Sequence, residues 1–453
     1  LYVGSTGTGK GVKLGNDAVE TMKKKRGLIV VDPKQDDFLP QVILEELMRQ
    51  GREDDFQVCS FPDNFGYQGI NEFDTYKDVA NKFIDALDLT PSENAGVDYY
   101  RKNGRIMLNK VLKLFFDGSL GVLVKKDFED ILFHLQMLKD DMEKQVLLEK
   151  EIGKNKPNTN LIEKYEKRFF DLKKIEAVYW DSTAVETLDS LVKSVSEISD
   201  SADIFKKYDL SGALYEGKVL YLKVDMLDVA SLKMVKMMIT DAIQQSRRKK
   251  ANCVIIADEL SFYITKTLRG ALATVRGMGL RFTLALQSLG QFGDEATQVD
   301  VMDNCNLKLF YKPSSKSSLE YVSYVGGEET ITSYSTGADG DYTISQKTEM
   351  NLNVTRQRAL PRAGVAVVIA EELNEPVIVR TNFVATEGGR VFDWDKYNKR
   401  EERGIFDGVK QDSIKIDDVS DVSKIERYKV SMSVENILEN SDIFGVKFTS
   451  EEI

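Results

Sequence analysis

The chain has 453 residues, 42% of them hydrophobic and 30% charged, enough for a large core and too long for a single domain to be the default. Sixty-two Lys and Arg against 73 Asp and Glu leave a net charge of −11, which excludes a global positive field for nucleic acid or anionic lipid and makes any such contact local. Three widely spaced cysteines (Cys59, Cys253, Cys305) and one histidine, His134, form neither a metal-ligand pattern nor a disulfide framework, and they argue against a Ser-His triad.

No run of eighteen apolar residues and no signal peptide occurs. Only Leu1, Tyr2 and Val3 precede a glycine-rich turn, about half of a usual core strand. A phosphate-binding loop must follow a buried strand, so the expectation is a sequence that begins inside a larger protein.

Gly4-Ser5-Thr6-Gly7-Thr8-Gly9-Lys10-Gly11 has the spacing of such a loop. Its glycines let backbone N–H groups point at phosphate, Lys10 reaches the β/γ oxygens, and the following helix adds its positive N-terminus. The candidate nucleotide-binding residues are Ser5, Thr6, Gly7, Thr8, Gly9, Lys10, Gly11 and Val12. Gly11 stands where a Ser or Thr hydroxyl usually binds Mg²⁺, which leaves the ion one protein ligand short. Taken alone, the loop also fits a chance glycine-rich turn.

Leu28 to Lys34 is a continuous apolar run closed by Asp32-Pro33-Lys34, the pattern of a strand buried on both faces of a parallel sheet. From about Thr75 to Lys207 apolar residues recur at helical spacing, as in Ile131, Leu132, Leu135, Leu138 and Met142, which predicts an all-α insertion. Within it, Gly153 and Pro157 interrupt the Lys/Glu-rich stretch from Lys139 to Lys174, so a solvated helical hairpin fits better than a coiled coil. Strand patterns return at Val219 to Val224, Val254 to Ala257, Phe282 to Leu286, Leu307 to Tyr311, Val365 to Ile369 and Val377 to Val379. Helical patterns at Ala230 to Arg248 and Ile264 to Gly277 lie between them, so the fold class is α/β, a wound and mainly parallel sheet. Residues 330–355 are polar enough for a long loop or hairpin, and Gly404 to Ile453 carries six Lys and Arg against eleven Asp and Glu, a net −5.

Two strand ends carry chemistry. Val254-Ile255-Ile256-Ala257 delivers Asp258 and Glu259 to a strand's C-terminal edge, where Asp258 would hold the Mg²⁺ shell and Glu259 would polarise an attacking water. Thr283 to Leu286 delivers Gln287, placed to sense a terminal phosphate or orient water, with Gln291 one turn on as a structural residue. Arg276, Arg281, Arg356 and Arg358 are candidates for an arginine supplied across a subunit interface. The basic run Arg247-Arg248-Lys249-Lys250 is read as a helix end favoured by the helix dipole rather than as a DNA contact.

On these residues the chain resembles the type IV secretion coupling proteins, the VirD4, TraG and TrwB group of hexameric ATPases. The resemblance spans about residues 1–390. It rests on the Gly9-Lys10-Gly11-Val12 loop, Val31-Asp32-Pro33-Lys34, Ala257-Asp258-Glu259, and Arg276-Gly277-Met278-Gly279-Leu280 leading into Ala285-Leu286-Gln287-Ser288-Leu289-Gly290-Gln291. It departs at Asn71-Glu72-Phe73, where many members have Asn-Pro. The resemblance implies a RecA-like P-loop nucleotide-binding domain over 1–74 and 208–392, an inserted all-α domain over 75–207 and an acidic tail over 393–453. It also implies ATP and Mg²⁺ as cofactors and hydrolysis by Lys10, Asp258, Glu259 and Gln287. The implied assembly is a hexamer at the cytoplasmic face of the bacterial inner membrane, held there by an N-terminal anchor ahead of the first strand. Its implied partners are DNA or relaxase-type protein substrates and the components of a secretion channel. Two other functions fit the same motifs: a HerA/FtsK-like double-stranded DNA translocase, and a non-hydrolysing adaptor that docks substrates.

Overall fold

The computed structural model describes residues 1–34, 36–60, 67, 69–71, 73–91, 94–116, 128–152, 182–199, 210–336, 342–361, 363–394 and 396. Its strands in chain order are β1 (Tyr2–Gly4), β2 (Gly27–Asp32), β3 (Phe56–Ser60), β4 (Val219–Lys223), β5 (Cys253–Ala257), β6 (Leu280–Leu286), β7 (Leu307–Tyr311), β8 (Glu328–Thr336), β9 (Tyr342–Met350), β10 (Val365–Ala370) and β11 (Val377–Arg380). Nine of them form a central sheet in the order β11-β10-β7-β1-β6-β5-β2-β4-β3, and β8 pairs with β9 apart from it. The first seven strands in sequence run parallel, and β10 and β11 join antiparallel at one edge.

The central strands are apolar on both faces because both faces are covered. Leu28 and Val30 of β2 pack with Leu14, Ala18 and Met22 of the helix Lys10–Lys23 and with Val42, Ile43 and Leu47 of the helix Phe38–Arg49. Ile29 and Val31 point the other way, into a core shared with Met234, Met238 and Ala242 of the helix Val229–Arg248. That helix starts where the Asp228 carboxylate accepts the Ser231 N–H, and it ends on Arg247 and Arg248 at the negative end of its dipole.

Between β3 and β4 the described residues form the helices Tyr76–Ala86, Ala95–Phe116, Phe128–Ile152, Ser182–Ser199 and Leu210–Tyr215 and no strand. Of the residues whose spacing predicts a helix, Ile131, Leu135, Leu138 and Met142 are buried along one stripe, and Leu132 is partly buried against the same core. The hairpin expected over Lys139 to Lys174 enters this helix as far as Ile152 and then lies outside the described residues, as does the acidic tail beyond residue 396. Glu72, at the departure from the resembled family, is also outside them.

Four local features differ from the sequence expectation or refine it. β1 has three residues yet is completely buried, because β6 and β7 flank it on both sides. The edge strand β3 carries no long apolar run, only Phe56, Val58 and Cys59 around a half-buried Gln57. The helix predicted from Ile264 to Gly277 is confined to Lys266–Leu272. Turns replace the rest, because Gly279 adopts φ +77° and a Cβ there would lie 1.8 Å from the Ala251 carbonyl oxygen. Finally, the polar stretch 330–355 forms most of the antiparallel hairpin of β8 and β9.

Candidate active site

β1, β2, β5 and β6 are parallel neighbours or near-neighbours, so the residues after them meet at one edge of the sheet, where doubly wound folds bind ligands. After β1 the loop is held tight by close approach. A Cβ on Gly4 would lie 2.6 Å from the Tyr311 carbonyl oxygen, and one on Gly9 2.9 Å from the Gly364 nitrogen. Gly9 is left-handed at φ 107°, the Gly364 N–H donates to the Thr8 carbonyl at 2.9 Å, and the Thr8 hydroxyl donates to the Ser5 carbonyl at 2.7 Å. The helix that follows has neither a side-chain cap nor an acid in its first turn, so its opening N–H groups are left for an anion. Gly11 meets nothing within 4 Å, so packing does not account for the missing hydroxyl.

Lys10 is 3% exposed, and its ammonium donates to the Leu286 carbonyl oxygen at 2.8 Å. Burial lowers its pKa to about 8, and the neighbouring Lys34 adds to that shift. Glu259 and Asp258 act in the opposite direction. A buried ammonium held by one carbonyl gains much from an arriving phosphate.

The two acids sit at the end of β5, nearly without solvent exposure. Lys34 lies 2.5 Å from Asp258 Oδ2 and 3.3 Å from Glu259 Oε1. Burial opposes the charge on Lys34, but the two carboxylates outweigh it and raise its pKa. The Lys34 N–H donates to Asp32 Oδ1 at 2.9 Å, and the Tyr221 hydroxyl donates to Asp32 Oδ2. Burial pushes the Asp32 carboxyl up to about 6 against those two hydrogen bonds. Glu259 is left-handed, φ 50° and ψ 49°, a conformation that costs a non-glycine residue about 1 kcal/mol or more. The Gln287 amide donates to Glu259 Oε1 at 3.2 Å, whereas Glu259 Oε2 is buried without a hydrogen-bond partner. A buried carboxylate oxygen left open is an acceptor available to a proton donor such as water.

Gln287 is itself held. Gln291 Oε1 accepts the Gln287 N–H at 2.7 Å and the Ser288 N–H at 3.2 Å, so Gln291 positions the loop, the structural part expected of it.

Residues 252–366 match the sequence family described as the TraM recognition site of TraD and TraG. No curated protein matches by sequence. Among solved structures the fold is similar to the bacterial conjugative coupling protein TrwBdeltaN70, at 16% identity, TM-score 0.59 and 86% of each chain. It is similar to the plasmid coupling protein TrwB in complex with ADP and Mg²⁺, at 15% identity, TM-score 0.54, covering 86% of this chain and 87% of that one. A more distant likeness is VirB4 of Thermoanaerobacter pseudethanolicus, at 12% identity, TM-score 0.50, covering 84% and 88%.

The chain has the fold of a conjugative coupling protein.

In this coupling-protein fold the matched stretch 252–366 begins just before β5 and ends in β10, so it contains Asp258, Glu259 and Gln287. The structure gathers Lys10, Asp258, Glu259 and Gln287. It also brings in residues that sequence reasoning left without a role. Lys34 lies between the acids, Asp32 and Tyr221 stand behind Lys34, and the buried Tyr263 hydroxyl has no hydrogen-bond partner. Pro33-Lys34 at a strand end is a visible signal in the sequence; its pairing across the sheet is not. Arg276 and Arg281 lie where β6 begins, whereas Gln287 follows its end, about 20 Å away along seven residues. They do not serve this chain's own site. Arg356 donates to the Asn351 carbonyl oxygen, and Arg358 is exposed.

The basic run is partly engaged in packing. Arg248 pairs with Asp74 at 2.8 Å and Asp78 at 2.7 Å, and Lys249 lies 4.4 Å from the centre of the Tyr215 ring. His134 packs beside Phe115, with ring centres 5.2 Å apart. The described residues contain no cluster of three potential metal ligands. The acid pair after β5 nonetheless suits Mg²⁺, which takes one or two carboxylates and fills its shell with phosphate and water.

Proposed function

We propose that this chain is the ATP-hydrolysing coupling protein of a type IV secretion or conjugation system. The observation that carries the reading is Glu259: buried, strained, fixed by Lys34 and Gln287 through one oxygen, and open at the other. An adaptor that only binds nucleotide has no need to keep such an acid at the cost of backbone strain.

The loop N–H groups and Lys10 bind the phosphate chain, Lys10 leaving the Leu286 carbonyl to do so. Asp258 would hold Mg²⁺, which would supply positive charge to neutralise the phosphate oxygens. Glu259 Oε2 accepts a proton from water as the water oxygen bonds to the terminal phosphorus and the bond to ADP breaks. Gln287 fixes Glu259 and the water's approach. Positioning and charge stabilisation are what phosphoryl transfer asks of a protein.

The fold likeness to TrwB supports the coupling role, and the TraM-recognition match supports a protein partner for residues 252–366. Six copies, an arginine contributed across the interface, DNA or relaxase-type cargo and a position at the inner membrane belong to the same proposal. No helix among the described residues is long and apolar enough to cross a membrane.

The test is steady-state phosphate release with ATP and Mg²⁺. Wild type turns over and Lys10→Ala does not; a Lys10→Ala chain hydrolysing at the wild-type rate removes the assignment.

A further inference from the structure

Lys10 and Lys34 both face the acid pair, but they are committed differently. Lys10 spends its hydrogen bond on a main-chain oxygen, whereas Lys34 touches both carboxylates. The acids are fixed: their side chains are 5% and 2% exposed, the Asp258 N–H donates to the Val31 carbonyl, and the Glu259 N–H donates to Asp258 Oδ1. The Lys34 side chain is 26% exposed. Its backbone is tethered by Asp32 while its four-carbon stem is free to swing. Two adjacent buried carboxylates repel, and the ammonium between them is the group that offsets their charge. The part of this cluster that can leave is therefore the ammonium.

We infer that Lys34 is a resident counter-ion which occupies the acid pair before nucleotide arrives, and which Mg²⁺ displaces from Asp258. The inference rests on the reading of the site as a Mg²⁺-dependent nucleotide hydrolase. It makes Lys34 a positioning residue whose effect is read in metal dependence. Gly11 sharpens the competition, since Mg²⁺ finds no hydroxyl ligand there and must gain its place at Asp258 against a cation already seated 2.5 Å away.

The test compares wild type, Lys34→Met and Lys34→Arg in the full chain, measuring affinity for a fluorescent ATP analogue in chelator and across a Mg²⁺ titration. In chelator, Lys34→Met binds about tenfold or more weakly than wild type, the effect of removing a unit charge a few ångströms from the phosphates. The deficit shrinks to within about threefold at saturating Mg²⁺, because the ion then supplies the missing charge. The Mg²⁺ concentration for half-maximal effect falls in Lys34→Met, with no ammonium to displace. It rises in Lys34→Arg, whose two-pronged grip on a carboxylate is harder to displace. Lys34→Arg keeps a cation in the cluster and carries the test if Lys34→Met does not fold. Equal deficits with and without Mg²⁺, or an unmoved Mg²⁺ midpoint in Lys34→Arg, overturn the inference and make Lys34 a structural strut. Wild type failing to bind the analogue in either condition overturns the nucleotide reading itself, and the inference with it.

Discussion

Lys34 and Asp258 are 224 residues apart in sequence and 2.5 Å apart in space. β2 and β5 are adjacent parallel strands paired in register from Gly27 with Cys253 to Val31 with Ala257, so the residues just past their ends must meet. The sheet register therefore places a cation against the acid pair that follows β5.

Gly11 tests how the metal is held. No atom lies within 4 Å of a Cβ built there, so Gly11→Ser is expected to fold normally. Supplying a hydroxyl is expected to lower the Mg²⁺ concentration for half-maximal hydrolysis severalfold, measured in a Mg²⁺ titration at fixed ATP. An unchanged midpoint would mean that water serves as well as the hydroxyl.

The Lys10 pKa of about 8 sets a pH dependence. Its folded value lies below the free value of 10.5, so between about 8 and 10.5 the unfolded chain binds more protons. In the nucleotide-free protein, stability from this group rises with pH through that window. Affinity for nucleotide moves the opposite way, falling as pH rises through 8 and Lys10 loses its charge. Binding isotherms from pH 6.5 to 9.5, about 1.5 units either side of that value, check this. A flat profile contradicts the role given to Lys10.

Away from the site, Lys82 is fully buried and reaches the Gly69 carbonyl oxygen at 3.0 Å, Asp74 at 2.5 Å and Asp241 at 2.8 Å, joining the first insertion helix to the helix Val229–Arg248. Lys82→Ala leaves two buried carboxylates short of a partner and is expected to cost about 3–5 kcal/mol. Lys193→Ala removes an exposed pair with Asp189 and is expected to cost less than about 1 kcal/mol. Denaturant unfolding of both variants gives the contrast, and equal costs would contradict it.

What can be read from the sequence follows the range of the interactions. Strands buried on both faces announce themselves, because every residue from Leu28 to Val31 or from Val254 to Ala257 must be apolar. β3 does not, since an edge strand can carry Gln57 half-exposed. The overlong helix prediction ending at Gly277 misses a glycine whose need comes from Ala251, a contact only the folded sheet creates. Lys10 is readable as a candidate from the glycine spacing of its loop, and Asp258, Glu259 and Gln287 because each follows a recognisable strand end. Lys34 stands in plain sequence beside Pro33, but its partners belong to another strand.

In the proposed function, water activation by Glu259 is the step on which hydrolysis depends. Glu259→Gln preserves shape and removes the charge, so its most direct test is paired: affinity for an ATP analogue, and phosphate release at saturating ATP and Mg²⁺. Binding is expected within about threefold of wild type, and turnover reduced about a hundredfold or more, the usual worth of a general base. A Glu259→Gln chain that releases phosphate at the wild-type rate, or a wild-type chain that binds nucleotide and releases none, would contradict it.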